Sequence, residues 1–236
     1  MKKVALFDLG DTLVNNYRPH QFPPILQRCV ARAGLYLDSL GLSLPTPEVV
    51  QKRVGEENHE APDWKVRPLA GRLSRIFDFD LRALSADEQM SLCRAFCQPI
   101  FEEAWRYPDT IPTLELLREK GLLIGLISNT TWGAPGLLWR EEAERHGIAP
   151  FCEHMVFCAD VGWRKPARQI FDRALSLFAV EPEVCFMVGD LIPTDIVGAR
   201  GVGISGILID RLGEVDSTDV PKIRSLDELW AAVEKL

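Results

Sequence analysis

Several features are missing from this chain, and each absence removes a class of function. No apolar run reaches about 18 residues, the length that crosses a bilayer, so no membrane span is expected. There is no long basic stretch, and the formal net charge is -7, which argues against nucleic acid as a partner. The six cysteines (Cys29, Cys93, Cys97, Cys152, Cys158 and Cys185) form no CxxC pair and sit mostly among apolar neighbours. Buried thiols are expected, not disulfides or a soft-metal site. The four histidines, His20, His59, His146 and His154, show no ligand spacing. Internal repeats and low-complexity stretches are also lacking. The chain start, Met1-Lys2-Lys3-Val4, enters an apolar strand without the apolar region or cleavage site of a signal peptide. A cytoplasmic location is therefore expected.

What is present describes an ordinary globular chain. Its 236 residues are 47% hydrophobic and 26% charged, which suits one large or two modest domains. Apolar runs and helical patterns alternate over much of it. Val4–Phe7, Leu122–Ile127, Met155–Phe157, Val184–Val188 and Ile204–Ile209 read as strands. Helices are expected within Pro135–His146, over Pro166–Phe178 and over Thr194–Arg200, and from Ser225-Leu226-Asp227-Glu228, a capping box. Such alternation predicts an α/β fold, a Rossmann-like parallel sheet covered on both faces.

The segment 16–107 reads differently. Ile25, Leu26, Cys29, Val30, Ala33 and Leu37 lie at helical spacing. Thr46-Pro47-Glu48 starts a second helix, and Ser85-Ala86-Asp87-Glu88 is another capping box. No strand is expected here. The simplest organisation is an all-helical domain over 16–107, inserted into a core made of 1–15 and 108–236, with its two ends close in space.

Four polar elements follow the expected core strands. They are Asp8-Leu9-Gly10-Asp11-Thr12, Ser128-Asn129-Thr130, Arg164-Lys165-Pro166, and Gly189-Asp190 with Asp195 five residues beyond Asp190. The carboxyl ends of parallel strands form a ligand crevice. Alone, each element is ordinary turn or cap chemistry. Together they bring a carboxylate nucleophile, a hydroxyl, a cation and oxygen ligands for a divalent metal. That set suits displacement at phosphorus, where charge on non-bridging oxygens needs positive partners.

These motifs, in this order, resemble those of the haloacid dehalogenase-like hydrolase superfamily: Phe7-Asp8-Leu9-Gly10-Asp11-Thr12-Leu13, Ser128-Asn129, Lys165-Pro166, and Val188-Gly189-Asp190 with Asp195 and the following Gly198-Ala199. The resemblance covers the core; the insertion matches the family's cap in position only. It implies a magnesium-dependent phosphomonoester hydrolase acting on a small phosphorylated metabolite. Asp8 would form an aspartyl phosphate. Mg2+ would be held by Asp8, the Gly10 carbonyl and Asp190. Ser128 and Lys165 would bind the phosphoryl oxygens, with Asn129 and Thr12 shaping the substrate pocket, and Asp195 would orient Lys165 or a metal-bound water. The family's phosphatases usually carry a second aspartate, the general acid, where this chain has Gly10. A one-residue shift sends Asp11 elsewhere, so Asp11 is read as stabilising the turn. Two other readings stay open: a non-catalytic or weakly active phosphate- or partner-binding protein, and a 2-haloacid dehalogenase. Trp132 and Trp163, which flank the second and third motifs, are read as packing. Trp64-Lys65-Val66-Arg67 and Arg53 are read as a solvated helix face that could meet an anionic substrate.

Overall fold

The computed structural model describes residues 3–17, 19–216 and 219–236. Met1 and Lys2, at the chain start considered above, lie outside the described residues. The chain begins with β1 (Val4–Phe7), whose four apolar residues are all buried. Two residues of β2 (Val14–Asn15) follow the first polar turn. The chain then leaves the sheet through α1 (Phe22–Ser39), α2 (Pro47–Glu57), α3 (Leu69–Phe77) and α4 (Ala86–Glu103). It returns through β3 (Trp105–Arg106), which pairs antiparallel with β2. The ends of the insertion are thus joined by a short ladder. Its β3 strand corrects the expectation of no strand within 16–107; two residues per strand leave no periodicity to read.

The core continues as α5 (Thr110–Glu119), β4 (Leu123–Ser128), α6 (Gly136–Arg145), β5 (His154–Phe157), α7 (Cys158–Val161) and α8 (Arg168–Phe178). It ends with β6 (Cys185–Gly189), a π-helical turn at Ile192–Ile196, α9 (Val197–Arg200), β7 (Ser205–Ile209), β8 (Lys222–Ile223) and α10 (Leu229–Val233). Six parallel strands form one sheet in the order β5-β4-β1-β6-β7-β8. Alternation along β1 feeds both faces: Ala5 and Phe7 enter one apolar cluster, Val4 and Leu6 another. The first cluster runs on into the insertion through Cys29, Leu73 and Phe96. The α/β class with a parallel sheet is as expected.

Local signals fared unevenly. The Ser85 box forms: Ser85 Oγ accepts from the Glu88 amide at 3.2 Å, and the Glu88 carboxylate accepts from the Ser85 amide at 2.8 Å. The Ser225 box does not form. Ser225 Oγ accepts from the Asp227 amide, and Glu228 accepts from the Arg224 amide. A 3-10 turn over Leu226–Glu228 tightens this end and shifts both bonds by one residue. Residues 64–66 are no helix face. They run antiparallel beside 162–164, with Val66 N donating to Gly162 O and Arg164 N to Trp64 O. The cysteines are unbridged, five of them buried, and burial pushes the Cys29 and Cys93 thiols up to about 12. Among the described residues, no helix is long and apolar enough to cross a membrane.

Candidate active site

The geometry starts at the carboxyl end of β1. Asp8 follows the last strand residue, and its amide donates to Val188 O of β6, which fixes it at the sheet edge. Ser128 ends β4, and Asp190 follows Gly189 at the end of β6. Lys165 arrives from the loop between α7 and α8. Its Nζ donates to Asp8 Oδ1 at 2.5 Å and to Asp195 Oδ1 at 2.6 Å. Asp195 Oδ2 accepts from the Leu191 amide at 3.0 Å. Asn129 grips the Lys165 backbone from both sides: Oδ1 accepts from Lys165 N at 2.8 Å and Nδ2 donates to Lys165 O at 3.2 Å. Gly189 makes this approach possible, because a Cβ there would fall 2.4 Å from Asp195 Cβ.

Asp8, Asp190 and Asp195 bring carboxylate oxygens within 4.8 Å of one another. They open on a cavity of about 370 Å³, lined also by Gly10, Asp11, Ser128, Asn129 and Lys165. Four carboxylates and one ammonium line it. Burial, followed by the charges of Asp8, Asp195 and Asp11, pushes Asp190 up to about 9. Burial also raises Asp195, against the pull of Lys165. Burial alone would lower the Lys165 ammonium; Asp195 and Asp8 outweigh it and hold the lysine charged. Hard oxygen donors crowded in this way match a divalent cation, whose charge would relieve the excess.

Of the residues expected here, Asp8, Gly10, Ser128, Asn129, Lys165, Asp190 and Asp195 are brought together. Thr12 is not. It is fully buried outside the cavity lining, its Oγ1 has no hydrogen-bond partner among the described residues, and its carbonyl accepts from Arg211. Asp11 has φ 52, its amide donates to Val14 O, and it lines the cavity. Position 10 has no left-handed requirement, and a Cβ there would meet Asn16 Nδ2 at 3.2 Å. Tyr17 and Phe22 of the insertion close the cavity from above, and Tyr17 Oη and Thr131 Oγ1 lie 2.6 Å apart. Sequence reasoning missed both aromatics; their position where the chain leaves the sheet was the available signal. Trp132 is packed as expected: it stacks on Phe96 and lies under the Arg72 guanidinium.

A family model described as haloacid dehalogenase-like hydrolase matches residues 2–203. A glyceraldehyde 3-phosphate phosphatase of Methanopyrus kandleri is 31% identical over 215 residues, 89% of this chain and 85% of that protein. Among solved structures, a HAD phosphatase from Thermococcus onnurineus aligns with TM-score 0.67 at 27% identity, covering 99% of this chain and 98% of the other. A 2-haloacid dehalogenase from Pseudomonas syringae pv. Tomato DC3000 aligns with TM-score 0.70 at 24% identity, covering 100% and 99%. The second likeness is one of fold alone, and one architecture hosts both chemistries. The chain belongs to the haloacid dehalogenase-like hydrolases.

Proposed function

We propose that this hydrolase cleaves small phosphomonoesters with magnesium, through an aspartyl phosphate on Asp8. One observation carries the reading: a buried lysine ties Asp8 to Asp195 at the end of the central strand, with Asp190 within 4.8 Å. The phosphatase relative in Methanopyrus kandleri supports it.

The residues divide the work as follows. Lys165 Nζ has three N–H donors. Two hold Asp8 and Asp195, and the third is left for a phosphoryl oxygen. Ser128 Oγ, whose contact with Asn129 O is a long 3.4 Å, turns to a second phosphoryl oxygen. The Asp8 oxygen away from Lys165 attacks phosphorus. The bond from phosphorus to the substrate oxygen breaks, and the leaving oxygen takes a proton. Water then attacks the same phosphorus, which releases phosphate and regenerates the Asp8 carboxylate. Asp8, Asp190 and the Gly10 carbonyl would hold Mg2+, which screens the repulsion between carboxylate and phosphate. Asn129 and Asp195 keep Lys165 in place. Halide displacement from carbon would leave the crowding of Asp11 and Asp190 without a purpose.

The test is phosphate release from an aryl phosphate with magnesium and with a chelator. Release with magnesium alone is expected. Equal release in both, or halide release from a 2-haloacid in place of it, would overturn the reading.

A further inference from the structure

A second cavity of about 300 Å³ adjoins the first and shares Tyr17, Phe22, Asn129 and Thr131 with it. Its far wall is Asn58, His59 and Glu60 from the insertion, together with Arg164. Arg164 directly precedes Lys165, so the two cations serve neighbouring cavities from one stretch of backbone. Arg164 and Glu60 belong to a cluster of ion pairs whose other members lie outside the cavity lining. Arg67 and Arg75 pair with Glu57, while Arg72 and Arg164 pair with Glu60. Four guanidiniums thus share two carboxylates.

Three of these guanidiniums each make two or more hydrogen bonds. Arg67 donates to the Glu57 and His59 carbonyls as well as to Glu57, and Arg75 meets both Glu57 oxygens. Arg72 donates to the Arg67 and Glu57 carbonyls and to Glu60 at 2.7 Å. Arg164 differs. Its guanidinium has only a 3.4 Å ion pair with Glu60, and its buried Nε has no partner among the described residues. A planar fork with unspent donors is suited to a carboxylate or phosphate.

We infer that Arg164 selects substrates bearing a second anionic group, a carboxylate or another phosphate, on the side of the ester that leaves. This rests on the phosphatase reading for the first cavity and assigns the second to the leaving group. The class is small phosphorylated acids or bisphosphates. Asn58 and His59 line the same space and suit the hydroxyls between the two anions.

Three probes separate the sources of charge: glycerol 3-phosphate with none, 3-phosphoglycerate with a carboxylate, and the bisphosphate of 1,3-propanediol with a second phosphate. The wild type should favour at least one probe with a second anionic group over glycerol 3-phosphate by about tenfold or more in kcat/KM. Arg164→Gln should erase that ratio, mainly through KM, and Arg164→Lys should restore part of it. A merely structural Arg164 would slow all three probes alike. An unchanged ratio in a folded Arg164→Gln, or a wild-type preference for glycerol 3-phosphate, overturns the inference. If Arg164→Gln fails to fold, a full ratio in Arg164→Lys overturns it and a reduced ratio supports it. If no probe is hydrolysed, an aryl phosphate with magnesium separates the two failures: no release there overturns the phosphatase reading, and release there leaves it standing. Calorimetry then decides the subsite: binding of 3-phosphoglycerate or the bisphosphate that weakens in Arg164→Gln supports it, and equal or absent binding overturns it.

Discussion

Lys165 and Arg72 are both buried cations, at 2% and 0% exposure, yet their surroundings push them in opposite directions. Lys165 sits in the crevice among four carboxylates, and its pKa rises. Arg72 sits where the insertion meets the core, among three other arginines; burial lowers its pKa despite Glu60. Carbonyls, one carboxylate and the Trp132 face complete its shell. The lesson is that a buried charge does not by itself mark chemistry. The crevice carries an unbalanced excess of negative charge beside a cavity, and that excess calls for a ligand. The shell of Arg72 is closed, and its role is to hold the insertion against the loop after β4.

Removing the nucleophile tests the crevice most severely. Asp8→Asn should lower turnover by about a thousandfold or more, because an amide is a poor nucleophile. Its unfolding midpoint in urea should stay near wild type. Substantial turnover in Asp8→Asn, after contamination is excluded, would place the nucleophile elsewhere. Chelation comes next: phosphate release should fall by about a hundredfold or more with a metal chelator and return on adding Mg2+.

The comparison itself is tested by a matched pair. Lys165→Met strands Asp8 and Asp195 beside each other and should cost about 3–5 kcal/mol in urea unfolding, with loss of turnover. Arg72→Met should cost less, about 1–3 kcal/mol, because Glu60 is partly exposed and keeps Arg164 as a partner. Turnover per folded Arg72→Met molecule should be retained. If the folded Arg72→Met protein is inactive, the seam takes part in the chemistry and the distinction fails.

The smallest effect concerns the odd first turn. Without an acid at Gly10, alkyl phosphates should be hydrolysed more slowly than aryl phosphates, because a basic leaving oxygen depends most on protonation. Gly10→Asp should narrow that gap by about tenfold. A Cβ at this position meets only the Asn16 amide, at 3.2 Å. Asp11→Asn should change the ratio little. Selective loss of alkyl turnover in Asp11→Asn, at unchanged stability, would make Asp11 the acid.

Much of the crevice was legible in the sequence because strand and chemistry coincide there. Continuous apolar runs mark β1, β4 and β6, buried on both faces, and each polar motif begins where a run stops. Period and capping likewise marked α8 and α4. The seam was opaque for a physical reason. Its ion pairs join residues 10 to 104 positions apart, between helix ends and loops that share no period, as in Arg75–Glu57 and Arg164–Glu60. The place of Thr12 was equally hidden: it is fully buried, and its carbonyl meets Arg211, 199 positions away.

The place of β1 in the sheet also bears on the order in which the protein assembles. This first strand lies between β4 and β6, and Val4 pairs with Leu123 and Cys185. During synthesis it therefore waits for about 120 residues before either neighbour exists, several seconds at the usual ribosomal pace. By then α1 and α4, which pack against each other, have both been made. Their association, with the two-residue ladder beneath them, brings Val14 to Arg106 and shortens the loop that β1 and β4 must close. The insertion thus acts as a clamp in the folded chain, holding Val14 beside Arg106 next to the strand that leads to Asp8.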